Sequence, residues 1–344
     1  MRLSIALVGV ALLASGCAGS PSPGRPPATV TPSTPAACSP SVTINGFSDA
    51  LDKTEFDGQY VGNLSGLAVD ADGSILALSD RSLLFTLDAR TYRPIAVRPL
   101  ADEHGEQLDS EAVLVDRDRS RLITSEIEPS VRRYGTDGRL LGQLPVPAPL
   151  RVAPEGRAGR NLTFEGLAAT PDGVIASMEA ALRGDQGNLV RFQSWVRVGA
   201  ELRPAAQYGY QVDPGLGVSE LTATGDGRLL VLERGYLPGI GNTVRLYLAD
   251  TRGATDVSGT AELHRAPGVT LVRRQLLADL GECPSLGATN REPQRNPLLD
   301  NIEGVTIIAR QPAGSLRLLL VSDDNANRKQ TTRLYTLTVR LPPS

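Results

Sequence analysis

The stretch Glu165-Gly166-Leu167-Ala168-Ala169-Thr170-Pro171-Asp172-Gly173-Val174-Ile175-Ala176-Ser177-Met178-Glu179 decides the fold. Two short apolar runs flank Asp172-Gly173, a tight-hairpin signal because glycine supplies the positive φ such turns need. The unit opens and closes on a carboxylate. It recurs from Ser65-Gly66 to Asp80, Glu111-Ala112 to Glu126, Glu220-Leu221 to Glu233, and Glu303-Gly304 to Asp323. The start-to-end spacings are 15 (65 to 80), 15 (111 to 126), 14 (165 to 179), 13 (220 to 233) and 20 (303 to 323). Asp72-Gly73 and Asp226-Gly227 repeat the turn in two further copies.

After each hairpin come one or two more strand-like runs: Leu83 to Asp88 and Ile95 to Leu100; Val131 to Tyr134 and Leu140 to Val146; Leu189 to Val198 and Ala205 to Val212; Val244 to Ala249 and Leu271 to Leu280; and Arg333 to Leu341. Four strands per unit describe a propeller blade, because one hairpin buries its apolar faces only by stacking against copies of itself. The starts are 46 (65 to 111), 54 (111 to 165), 55 (165 to 220) and 83 (220 to 303) residues apart, against roughly 40–50 for a blade. The last interval holds either one blade with a long insertion or a sixth blade built partly from Thr255 to Leu263. The expected fold is therefore an all-β propeller with five recognisable four-stranded blades, six being the alternative. The final unit shows only three strands after Asn301. The strand-like segment Ser41 to Ser48 could supply the fourth, which would tie the chain ends together and remove open edges.

Residues 1–16 read as an export signal: Arg2 is basic, Ile5 to Leu13 is apolar, and Ala14-Ser15-Gly16 lead into Cys17. The run is shorter than the roughly 20 apolar residues of a membrane span. It resembles a bacterial lipobox, which implies cleavage before Cys17, lipid on its thiol and anchoring to the membrane outside the cytoplasm; an ordinary secretory signal is the alternative. Residues 17–40 then form a Pro-rich tether that cannot bury a core, and 41–344 form one propeller domain. Cys38 and Cys283 remain as an even pair, expected to form a disulfide in an oxidising compartment, with two free thiols as the alternative. Net charge is −3 and lysine occurs only at Lys53 and Lys329. Without a basic block or many aromatics, nucleic-acid binding is not expected, and the chain reads as a monomer.

The segments Ser79-Asp80-Arg81, Glu233-Arg234-Gly235-Tyr236, Ser322-Asp323-Asp324-Asn325, Asn301-Ile302-Glu303-Gly304-Val305 and Gly241-Asn242-Thr243, the last ahead of Ala254-Thr255-Asp256-Val257-Ser258-Gly259, carry a resemblance. They resemble the bacterial phytase-like family described as having esterase-like activity, over approximately Val61 to Leu341. The resemblance implies a propeller of the phytase-like superfamily; it does not imply phytate hydrolysis, since function belongs to the site.

Carboxylates repeated at equivalent inner-strand positions are expected to converge on the channel mouth, where their repulsion must be relieved by a cation, by arginine or by protonation. Calcium is the expected ion, because it accepts several hard oxygen ligands. Glu111, Glu165, Glu220 and Glu303 form the expected first ring, with Asp80, Glu126, Glu179, Glu233 and Asp323 near it. Asp324 and Asn325 add an oxygen-rich loop. The plainer reading makes any of them a solvated strand end or a blade-to-blade acceptor. Arg81, Arg234 and Lys329 are the candidates to receive an anionic substrate, because guanidinium binds phosphate oxygens bidentately; structural ion pairs are the alternative for the arginines. Metal-assisted hydrolysis of a phosphate ester or related anionic ester is the first functional expectation. A non-catalytic propeller binding a small ligand or an envelope partner is the second. No G-x-S-x-G elbow occurs, and His104 and His264 fall in polar connections, so a serine triad is not expected.

Overall fold

The computed structural model describes residues 35–311 and 314–343. The export signal and Cys17 lie outside the described residues, as does the tether up to residue 34. Five blades form a ring. The first is Leu64–Val69, Ile75–Ser79, Leu83–Leu87 and Pro94–Pro99; the second is Ser110–Val115, Arg121–Ser125, Ser130–Tyr134 and Leu140–Gln143. The third is Phe164–Ala169, Gly173–Met178, Leu189–Val198 and Glu201–Gln211; the fourth is Gly217–Ala223, Leu229–Leu237, Gly241–Asp250 and Arg273–Asp279. The fifth runs outward from Asn301–Arg310 through Ser315–Asp323 and Leu334–Arg340. Its next strand is the N-terminal Val42–Ser48, which pairs antiparallel with Leu334–Arg340 and in turn carries Ala36–Ala37 on its outer edge. The chain ends are thereby sewn into one sheet.

Each first strand packs on the first strands of its neighbours around the axis. The approach is close enough to require glycine: a Cβ on Gly166 would lie 2.4 Å from the Leu221 nitrogen of the next blade. The apolar cores lie between blades, with Leu230, Leu232 and Leu246 of the fourth meeting Leu318, Leu320 and Leu337 of the fifth. Two of the Asp-Gly turns behave as expected, with Gly73 at φ 88° and Gly227 at φ 89°. Gly173 differs. It opens its strand without a positive φ, and a Cβ there would lie 1.9 Å from the Trp195 carbonyl, so close packing is what demands glycine at this turn.

The long interval before the fifth blade holds no sixth blade. Residues 251–272 fold back over the third blade, where Val257 and Leu263 pack on Leu189. Arg191, 1 % exposed, clamps this excursion. It makes a paired contact with Asp185 at 2.7 and 2.9 Å and donates to the carbonyls of Val257, Thr260 and Ala261. Cys38 and Cys283 form a disulfide joining the outer edge of the fifth blade to the segment after the fourth.

Candidate metal centre at the channel mouth

Every inner hairpin carries a bulge at the same place. The pairing slips between Leu64 and Gly66, between Val218 and Glu220, and between Ile302 and Gly304, which leaves Ser65, Ser219 and Glu303 as the extra residues. In the second blade Glu111 and Ala112 face one partner residue, and in the third Glu165 and Gly166 do. A bulge re-aims a side chain out of the ladder. The strand positions that follow the bulge's outer pair are Asp80, Glu126, Glu179, Arg234 and Asp323. All five line one cavity of about 590 Å³, as do Ser65, Glu111, Glu165 and Glu303.

In the fourth blade the sequence pattern is displaced by one residue. Its bulge residue is Ser219 and its strand end is Arg234, a spacing of 15 (219 to 234) equal to that of the first two blades. A one-residue slip turns a strand side chain to the opposite face, so Glu220 and Glu233 leave the cavity. The Glu220 carboxylate accepts the N–H groups of Leu167 at 3.1 Å and Leu221 at 2.8 Å, bridging the inner strands of the third and fourth blades. Glu233 accepts from the Tyr210 hydroxyl at 2.7 Å, the Asp213 N–H at 2.9 Å and Arg274 at 2.8 Å. Asp324 also lies outside the lining, held by Lys53, Tyr60 and the Asn63 N–H. Asn325 lines the cavity; Lys329 sits on the same loop without doing so.

Asp109 and Glu292 bring the lining carboxylates to nine, with Asp80, Glu111, Glu126, Glu165, Glu179, Glu303 and Asp323, against two guanidiniums, Arg81 and Arg234. Asp109, from the connection before the second blade, and Glu292, from the loop before the fifth, repeat nothing in other blades and were invisible to the repeat. Oxygens of Asp109, Glu111 and Glu126 lie within 4.8 Å of one another, and so do oxygens of Glu126, Glu165 and Glu179. Glu126 belongs to both groups. These acidic clusters could hold a metal ion.

Burial, then the neighbouring Glu303 and Glu126, push the Glu111 carboxyl well above its ordinary value; Glu165 is raised the same way by burial and Glu111. Glu126 is pushed up to about 8 by burial and by Glu179. Burial lifts Asp80 to about 6 and also raises Asp323. Arg234 is pulled down by burial, but Glu303, at 2.9 Å, and Glu179, at 3.8 Å, outweigh this and hold its charge firmly. Arg81 pairs with Asp80 at 3.4 Å and is largely exposed. Several buried polar atoms of the lining have no hydrogen-bond partner in the protein: Ser65 Oγ, Arg234 Nε, Glu292 Oε1 and both amide atoms of Asn242; Asp80 Oδ1 meets only the Arg81 guanidinium. Neither histidine lines the cavity.

The model of the phytase-like family, described as "Esterase-like activity of phytase", matches residues 59–326. This chain belongs to the phytase-like family. The match spans the first four blades and reaches the loop after Asp323 in the fifth. No curated protein matches. Among solved structures, a gluconolactonase from Xanthomonas campestris is similar at 16% identity and TM-score 0.46, covering 87% of this chain and 78% of its own. A PQQ-bound aldose sugar dehydrogenase from Streptomyces coelicolor is 13% identical with TM-score 0.43, covering 89% of this chain and 100% of its own. The calcium-binding protein regucalcin from Agrobacterium tumefaciens is 15% identical with TM-score 0.39, covering 85% and 95%. At these TM-scores the likenesses carry no conclusion about the chemistry of the phytase-like chain.

Proposed function

We propose that this phytase-like propeller is a calcium-assisted hydrolase of a phosphate ester or related anionic ester, held outside the cytoplasm by lipid on Cys17. The observation that carries the reading is the pair of three-carboxylate groups sharing Glu126 beside Arg234. Calcium binds oxygens at about 2.3–2.6 Å, so the oxygens around one ion lie within about 5 Å of one another, as the oxygens of each group do. The lining offers carboxylates, amides and a serine, with no histidine or cysteine, which suits a hard cation. Asp109, Glu111 and Glu126, or Glu126, Glu165 and Glu179, would hold it. When bound, calcium supplies charge neutralisation for the ester oxygens.

The protein's own groups divide the remaining work. Arg234, at the one blade whose strand end is cationic, orients the anion, and Arg81 at the rim attracts it. Asp80, lifted to about 6 by burial and with Oδ1 free of hydrogen bonds, exchanges a proton with the leaving oxygen or the attacking water near neutral pH. The lipobox-like segment and the Cys38–Cys283 disulfide support an extracytoplasmic location. The test is turnover of a phosphoester panel by the purified protein in calcium and in chelator. Calcium-dependent turnover is expected; calcium binding without turnover would mean a non-catalytic platform.

A further inference from the structure

Residues 283–300 cross from the fourth blade to the fifth without helix or strand and carry Glu292 to the cavity. From Thr289 to Pro297 this strap has no aliphatic or aromatic side chain, so polar contacts place it. Arg333, fully buried, grips it at two points, donating to the Thr289 carbonyl and to those of Pro297 and Leu298, each at 2.9 Å. Between these grips Asn296, 7 % exposed, donates to the Cys283 carbonyl at 2.5 Å and the Gly281 carbonyl at 3.1 Å. Gln294 accepts the Asn242 N–H at 2.7 Å. A Cβ on Gly241 would lie 2.7 Å from the Pro293 carbonyl, so the strap rests directly on the third strand of the fourth blade. Arg291, half exposed, pairs with Asp52 at 2.5 Å, and exposed pairs of this kind hold weakly. Asn290 donates to Leu299 within the strap itself.

Three of these attachments lead to the N-terminal segment: Cys38 through the disulfide to Cys283, Asp49 through Arg333, and Asp52 through Arg291. The disulfide is the one that a chemical change can open. Opening it leaves the N-terminal strand seated, because Val42–Ser48 stays paired with Leu334–Arg340 and buries Val42 and Ile44. The strap responds differently. Its Asn296 bond depends on where the Cys283 carbonyl sits, and Gln294 and Glu292 lie two and four residues from Asn296. We infer that the Cys38–Cys283 disulfide is a redox switch on the channel mouth: reduced by a dithiol, it undocks residues 290–296 about the Arg333 grips and withdraws Glu292, while the ring of blades stays closed. The switch acts on the lining itself and does not depend on what the cavity takes. Cys38 is half-buried and Cys283 is 5 % exposed, so the dithiol's thiolate attacks the Cys38 sulfur and Cys283 leaves as a thiolate. The reagent's second thiol then displaces Cys38, both cysteines end protonated, and the dithiol ends as a disulfide.

Backbone hydrogen exchange of the purified protein, read by mass spectrometry before and after dithiothreitol, tests it, with thiol labelling of Cys38 and Cys283 to confirm reduction. Exchange in peptides covering residues 284–300, and at the Asn242 amide, is expected to rise about tenfold, as when a local hydrogen bond opens. Peptides of Val42–Ser48, Leu334–Arg340 and the first three blades should keep their protection. Cys38→Ser combined with Cys283→Ser should show the raised exchange without dithiol and no further response to it. Asn296→Leu should loosen the Asn242 amide with the disulfide intact. A disulfide that resists dithiothreitol in the folded protein, or exchange unchanged after confirmed reduction, would overturn the switch. Exchange rising equally in Val42–Ser48 and Leu334–Arg340, or a double serine variant that does not fold, would also overturn it, by making the bond a closure of the ring. An Asn242 amide unaffected by Asn296→Leu would refute the route through Asn296.

Discussion

Replacing Arg234 by Met tests whether the mouth is an electrostatically stressed cation site. The substitution keeps an unbranched apolar stem and removes the guanidinium set among the buried acids of the cavity, 2.9 Å from Glu303 and 3.8 Å from Glu179. Breaking a buried ion pair from one side costs about 3–5 kcal/mol. The Arg234 side chain is 20 % exposed, so the lower end, about 3 kcal/mol, applies. A domain of this size moves by roughly 2 °C per kcal/mol, which predicts a melting temperature lower by about 6 °C in chelator at neutral pH. Calcium should shrink the deficit, because an ion at Glu126, Glu165 and Glu179 takes over the neutralisation of Glu179. The assay is thermal melting of parent and variant, each with chelator and with calcium. Equal melting in chelator, or a deficit unchanged by calcium, would refute the reasoning.

The pH dependence follows from the raised carboxyls. Glu126 titrates near 8 in the folded state against an ordinary value of 4.5. Its stabilising contribution is therefore complete below about pH 4.5 and is lost as pH rises through 8, by up to about 1.4 kcal/mol per pH unit for each retained proton. Denaturant melts in chelator should show lower stability at pH 8 than at pH 6, and calcium should flatten or reverse that slope. Cys17→Ala should release the protein from the membrane, because the Pro-rich tether has no apolar anchor; unchanged detergent-phase partitioning would count against lipidation. Asp80→Asn should lower kcat far more than it raises KM if its carboxyl moves the proton, and equal effects on both would assign Asp80 to binding.

Five hairpin units, four of their strand ends and the closing N-terminal strand were legible because the start-to-end spacing recurs and three of the turns carry Asp-Gly. The register was not. Glu220 and Glu233 sit one residue off the positions of Glu165 and Glu179, and residue type alone hides the displacement; the short 13-residue spacing was the one visible sign. Backbone pairing fixes where the bulge falls, and the bulge decides which side chain enters the channel. Thr255 to Leu263 looked like a blade fragment because it is partly apolar. Its apolar residues instead cover the third blade. Asp109, Glu292 and Asn242 reach the mouth from connections or a third strand, where no repeat marks them.

Melting of the purified protein as calcium is titrated tests the central claim most directly. Calcium at 100 times its dissociation constant should stabilise the fold by about 2.7 kcal/mol, a rise of roughly 5 °C. Glu126→Gln, which removes the carboxylate common to both three-acid groups, should abolish most of that rise while leaving the propeller folded. A parent melting temperature indifferent to calcium and chelator would contradict the account.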